Sequence, residues 1–230
     1  MTLVVKRREF TAGLFSLGLA GWTPAVQAAL SEADAATAVR AALERGALAA
    51  VALLGRTDGF LGNPQVRIPL PGFLHEAAKL LKATGQQRRV DELVPAMNRA
   101  AEAAVPEAKA LFVSTVKAMS VNDAIRLVRD RSPTAVTAYF AGKTRAPLGE
   151  RFLPIVTRAT ERVQLAARYD SVAGRAASLG LLKGDESNVQ KYVTAKALDG
   201  LYLVVGEEEK KIRADPVRTG SAVLQKVFGI

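Results

Sequence analysis

Apolar residues recur three and four positions apart along most of the chain from Ser31 to Phe228, and strict apolar–polar alternation is nearly absent. That spacing gathers the apolar set on one face of a helix and on no single face of a strand. Alanine, the best intrinsic helix former, fills 41 of the 230 positions and carries the helical pattern where larger side chains are sparse. The expected fold class is all-α: an irregular bundle of about eight helices with one long Gly/Pro-rich loop.

Caps and breakers set the expected boundaries. Ser31 followed by Asp34 resembles a capping box, so the first helix starts there and runs through Val39, Leu43, Ala47 and Val51 to Gly55. Residues 55–71 hold three glycines and three prolines and form the loop, with Val66–Leu70 extended. Gly72–Thr84 reads as a short helix with Phe73, Leu74, Ala77, Leu80 and Leu81 inward. Gln86–Ser120 is helical but kinked or broken at Pro95 and Pro106. A start at Ser120–Asp123 leads a helix to Arg131, and Ser132-Pro133 opens one that ends at Ala141–Gly142. Leu148–Leu179 forms a long helix, bent near Pro154 and Gly174 and closed by Gly180. Asp185 or Ser187 caps a helix over Val189–Arg213, and Pro216 opens the last, to Phe228.

Residues 1–28 stand apart as an export signal, which leaves 29–230 as a single helical domain. Lys6, Arg7 and Arg8 precede an apolar run from Phe10 to Trp22, then Pro24 and the sequence Val26-Gln27-Ala28, with cleavage expected after Ala28. The run is short of the ~20 residues that span a bilayer, so the mature chain has no transmembrane helix. Arg7-Arg8-Glu9-Phe10 is similar to a twin-arginine signal, although Lys6 and Thr11-Ala12 depart from its usual pattern. Twin-arginine and general secretory export both stay open, and both lead to a periplasm or beyond.

Composition narrows the chemistry. With no cysteine there is no disulfide, thiolate metal site, thiol nucleophile or lipidated cysteine, and one histidine cannot build a multi-histidine metal site. No serine sits in a nucleophile elbow, and no Gly-rich phosphate loop occurs, so no cofactor is implied. Without Lys6, Arg7, Arg8 and Glu9 the formal charge falls from +10 to +8. Such a chain favours anionic partners: an envelope lipid, a cell-wall polymer or an acidic protein partner. Basic and acidic residues interleave without a block of five cations, so there is no specific nucleic-acid signal.

Three clusters are candidates for function. Between Pro95 and Pro106, Asn98 and Glu102 share a helix face, Arg99 is three from Glu102, and Arg67 on the extended piece is a partner for Glu102. Arg67, Asn98, Arg99 and Glu102 either hydrogen-bond a polar ligand or lock the proline loop onto the bundle. Glu207-Glu208-Glu209 precedes Lys210-Lys211, and Glu207 and Lys211 are spaced to pair. One of the three acids must turn inward, since consecutive helical residues sit ~100° apart. Asp199 and Tyr202 are at i, i+3 on a helix that also holds Gly200 and Gly206, glycines suited to close helix packing. His75 is expected on a helix surface or partly buried.

The segments Asp58–Pro71, Met97–Lys109, Arg151–Val156, Lys196–Tyr202 and Glu207–Pro216 resemble an uncharacterised family of exported bacterial proteins, catalogued as a domain of unknown function. The resemblance implies an all-helical, periplasmic or envelope-associated domain and brings no activity, cofactor or catalytic residues. Three functions are compatible with the residues. The first is a non-enzymatic periplasmic protein that binds an anionic or amphipathic envelope component, or a protein partner, in a groove between helices. The second is a metal-independent hydrolase or lyase with Glu102 and one of Glu207–Glu209 as acid and base. The third is a structural scaffold.

Overall fold

A computed structural model describes residues 30–178 and 188–229. The expected signal at 1–28, and Gly180, Asp185 and Ser187, lie outside the described residues. Among the described residues there are nine α-helices and no strand. The helices are α1 (Glu32–Leu54), α2 (His75–Ala83), α3 (Gln87–Glu107), α4 (Lys109–Ala118), α5 (Ala124–Arg129), α6 (Ala135–Arg162), α7 (Leu165–Ser178), α8 (Val189–Ala214) and α9 (Ala222–Phe228). None of them is long and apolar enough to cross a membrane.

α1 begins as its sequence requires. The Ser31 hydroxyl accepts from the Asp34 N–H at 3.0 Å and donates to the Asp34 carboxylate at 2.8 Å. Its inner face is built of small residues, Ala35, Ala38, Ala42, Gly46 and Ala50, all buried. Small residues let a partner backbone approach closely, and α8 does so: a Cβ placed on Gly46 would meet Val205 Cγ1 at 2.9 Å. α3 and α6 complete the central group around α8, and α4, α5 and α9 cover the remaining flanks of α1.

The Gly/Pro loop is part of the core. Phe60 and Ile68 are fully buried, and Val66 nearly so. Phe60 lies against α8 where Gly200 makes room, a Cβ there falling 2.8 Å from the ring. Burying such a side chain stabilises by about 1.5–3 kcal/mol, which explains why a loop of this length is held down. Asp58 takes a left-handed φ of 62° to start the turn.

Five boundaries differ from expectation, one being the start of α9 at Ala222, which follows a separate 3-10 turn over Val217–Thr219 instead of opening at Pro216. The helix through Gly142 does not stop there: α6 continues to Arg162. Phe140, Thr144, Leu148, Phe152, Val156 and Ala159 form one buried stripe at helical spacing, while Pro147 and Pro154 are exposed. Core burial outweighs the missing proline hydrogen bonds. The break comes instead at Gln164, whose φ is 52°. Helix α3 passes through Pro95 and ends one residue after Pro106. Asn188 caps α8, accepting from the Lys191 N–H at 2.9 Å. Leu74, in the 3-10 turn before α2, and Leu81 on α2 are buried as expected, but Leu80 is 44 % exposed.

Candidate functional site

Three of the four residues grouped from the sequence come together. Asn98 is completely buried on α3. Its Oδ1 accepts from the Ile68 N–H at 2.8 Å, and its Nδ2 donates to the Ile68 and Val94 carbonyls at 2.9 and 2.8 Å. Glu102, 4 % exposed, accepts the N–H groups of Phe60 and Leu61 on Oε1 at 3.1 and 3.0 Å. Its Oε2 takes Arg99 Nη1 at 2.6 Å, and Arg99 reaches on to Asp58 at 2.8 Å. The two carboxylates raise the Arg99 pKa above its usual value, Glu102 more strongly than Asp58. Apart from the Asn98–Val94 and Arg99–Glu102 contacts within α3, these bonds tie the loop to α3, as the locking role requires. Arg67 does not pair with Glu102. It is exposed and lines a separate hollow of about 590 Å³ with His75, Lys79, Lys82 and Asp91. Ile68 points inward, and the next residue along an extended segment points the other way.

A second buried carboxylate sits on α8. Glu209, 2 % exposed, is the inward member of the acidic triplet. It accepts from the N–H groups of Val136 and Thr137 at 3.0 and 2.7 Å and from the Thr137 hydroxyl at 2.7 Å. These are orphan donors at the start of α6, where Thr134 provides no side-chain cap, and the positive helix end suits a carboxylate. Arg213 donates to Glu209 at 2.8 Å and to the carbonyls of Leu127, Val128 and Asp130 at 3.0–3.3 Å. One ion pair therefore caps the end of α5 and the beginning of α6. Glu207 pairs with Lys210 at 2.6 Å, not with Lys211, which lies 3.5 Å from Glu208.

Asp199 pairs with Arg145 at 2.6 Å and Lys196 at 3.5 Å. Thr144 gives its proton to the Phe140 carbonyl, so the Tyr202 hydroxyl donates to Thr144 at 3.0 Å. Burial pushes the Tyr202 phenol above its ordinary pKa. A Cβ placed on Gly206 would meet Thr134 Cγ2 at 3.2 Å, the close packing expected of this glycine.

The concave feature with unspent chemistry lies elsewhere, between α4 and α6. A cleft of about 620 Å³ is lined by Ser114, Thr115, Met119, Ser120, Asn122, Tyr139, Lys143, Pro147, Leu148 and Arg151, among others, and by no acid. Lys143 and Arg151 have no ion-pair partner among the described residues. Lys143 lies over the Tyr139 ring, 5.8 Å from its centre. Arg40 of α1 donates twice to the Met119 carbonyl, at 3.2 and 3.0 Å, and fixes the far wall. Of the sequence candidates none is here. A sequence signal for it exists: neither Lys143 nor Arg151 has an acid three or four positions away.

Residues 29–229 match the family described as protein of unknown function DUF4197, and the chain belongs to that family. No curated protein and no solved structure matches it.

Proposed function

We propose that the chain is exported and acts without catalysis, binding an anionic or amphipathic envelope component in the α4–α6 cleft. The observation that carries this reading is the pair of unneutralised cations, Lys143 and Arg151, in a concave site without a carboxylate. Many other surface cations are matched, as in Arg88–Glu92, Arg162–Glu107 and Lys226–Asp34, and those among the described residues that are not, such as Arg56, Lys109 and Arg131, do not line this cleft. The formal charge of +8 beyond the expected signal supports the same class of partner.

A carboxylate-based hydrolase needs two acids converging on one concave site. Glu102 is committed to the loop backbone and Glu209 to the start of α6. That commitment favours binding over catalysis. Native mass spectrometry of the mature chain, purified gently from its own cells, tests the proposal. An extra mass lost on denaturation supports it; a bare chain contradicts it.

A further inference from the structure

We infer that the ligand class of the α4–α6 cleft is a phosphorylated polyol, with its phosphate between Lys143 and Arg151 and its hydroxyls toward α4; this rests on the binding role proposed above. Lys143, Pro147 and Arg151 follow at i, i+4 and i+8 and all line the cleft. The two cations are therefore on one side of α6, about 12 Å apart along its axis, and Lys143, which lies over Tyr139, swings toward Pro147 to face Arg151 across the ligand. A lysine point charge facing an arginine fork suits a tetrahedral dianion approached from two sides.

The opposite wall demands donors from the ligand. Ser114 and Thr115 both spend their protons on the Leu111 carbonyl, at 3.0 and 2.8 Å. What they turn to other partners is oxygen lone pairs. Pro147 has no N–H for the carbonyl of Lys143, so a helix acceptor lacks its regular donor beside the cations. A simple carboxylate leaves these acceptors unmatched, and inorganic phosphate brings at most two P–OH donors, both on the phosphorus held beside the cations. An ester with several hydroxyls satisfies them, while Met119, Tyr139 and Leu148 offer an apolar wall to its carbon chain. The end of α4 contributes a partial negative charge at the cleft, and the Arg40 guanidinium on the Met119 carbonyl offsets it.

Glycerol 3-phosphate, a phosphomonoester, is the soluble probe, and phosphatidylglycerol vesicles present a glycerol phosphate on a lipid as a diester with a single negative charge. Isothermal titration of the mature chain should show glycerol 3-phosphate binding at least tenfold more tightly than inorganic phosphate, with glycerol weaker still. Lys143→Gln/Arg151→Gln should weaken it tenfold or more. Lys82→Gln/Arg89→Gln removes the same charge at exposed positions on α2 and α3 and should leave binding unchanged. Vesicle binding that follows the same variant pattern, with phosphatidylcholine inert, assigns the source to a lipid headgroup; binding of the soluble ester alone assigns it to a free ester. Equal affinity for inorganic phosphate, or unchanged binding in the cleft variant, overturns the inference. A co-purifying molecule that lacks phosphate overturns this inference and leaves the binding role standing. A bare chain from its own cells contradicts the binding role, and failure to bind any probe overturns this inference.

Discussion

Asn98 holds Ile68 by both sides of its peptide group, accepting from the N–H at 2.8 Å and donating to the carbonyl at 2.9 Å. A side-chain amide thus replaces the neighbouring strand that an extended segment would otherwise need. One turn further along α3, Glu102 does the same for the N–H groups of Phe60 and Leu61. The two residues together seat a loop whose apolar members, Phe60, Val66 and Ile68, complete the core.

Asn98→Ala leaves two buried backbone groups of Ile68 without partners and should cost about 2–4 kcal/mol, as each buried orphan costs about 1–3. Glu102→Ala should cost a similar amount by freeing Phe60, Leu61 and Arg99. Urea unfolding measures both. Binding at the α4–α6 cleft should be unchanged in each folded variant. Lost binding with full stability would mean that the cluster is a ligand site.

Glu209 serves two helix ends through its own oxygens and through Arg213. Glu209→Ala should destabilise by about 3–5 kcal/mol, the range for removing one partner of a buried pair. Arg213→Met should also destabilise, and the double variant should cost less than the two single losses added together. Strict additivity in a double-mutant cycle would show that the pair does not act as a unit.

The glycines divide by what surrounds them. Gly142 lies in the interior of α6 with nothing within 4 Å of an added Cβ, so Gly142→Ala should raise stability by about 0.5–1 kcal/mol through helix propensity. At Gly200 the same gain is opposed by Phe60, 2.8 Å from the new methyl and fully buried. Overpacking of about 1–3 kcal/mol should win there, making Gly200→Ala destabilising. Thermal melts with opposite signs at the two positions are the expected result.

Asp34 joins the start of α1 to α9 through Lys226 at 2.8 Å. That hydrogen bond, then Ser31, holds its pKa below the ordinary 3.8. A carboxylate with a lowered folded pKa contributes stability above its unfolded pKa and loses it as pH falls through the folded value. Asp34→Asn should therefore melt lower than the native chain near neutral pH. The difference should close as pH drops below about 3.8. A difference that persists undiminished in acid would rule out the charge as its source.

The helices were legible because their period is local: α1 with its Ser31 cap and α8 lie within a residue or two of expectation, and α9 ends where expected, at Phe228. Long-range packing was not. Gly142 looks like a stop until the stripe from Phe140 to Ala159 meets α3 and α8, and only that burial carries the helix through two prolines. The grouping of Asn98, Arg99 and Glu102 followed from helical spacing alone. Which groups they bond depends on where the loop returns, some thirty to forty residues earlier in the chain. That one of three consecutive glutamates turns inward is helix geometry; that it is Glu209 is set by the start of α6. The α4–α6 cleft joins residues from Ser114 to Arg151, and only the absence of nearby acids around Lys143 and Arg151 marked it in the sequence.

The most direct measurement is native mass spectrometry of the mature chain from its own cells, compared with Lys143→Gln/Arg151→Gln prepared identically. The account predicts a reproducible added mass on the native chain, lost on denaturation and absent from the variant. A bare native chain, or the same added mass on both, would contradict it.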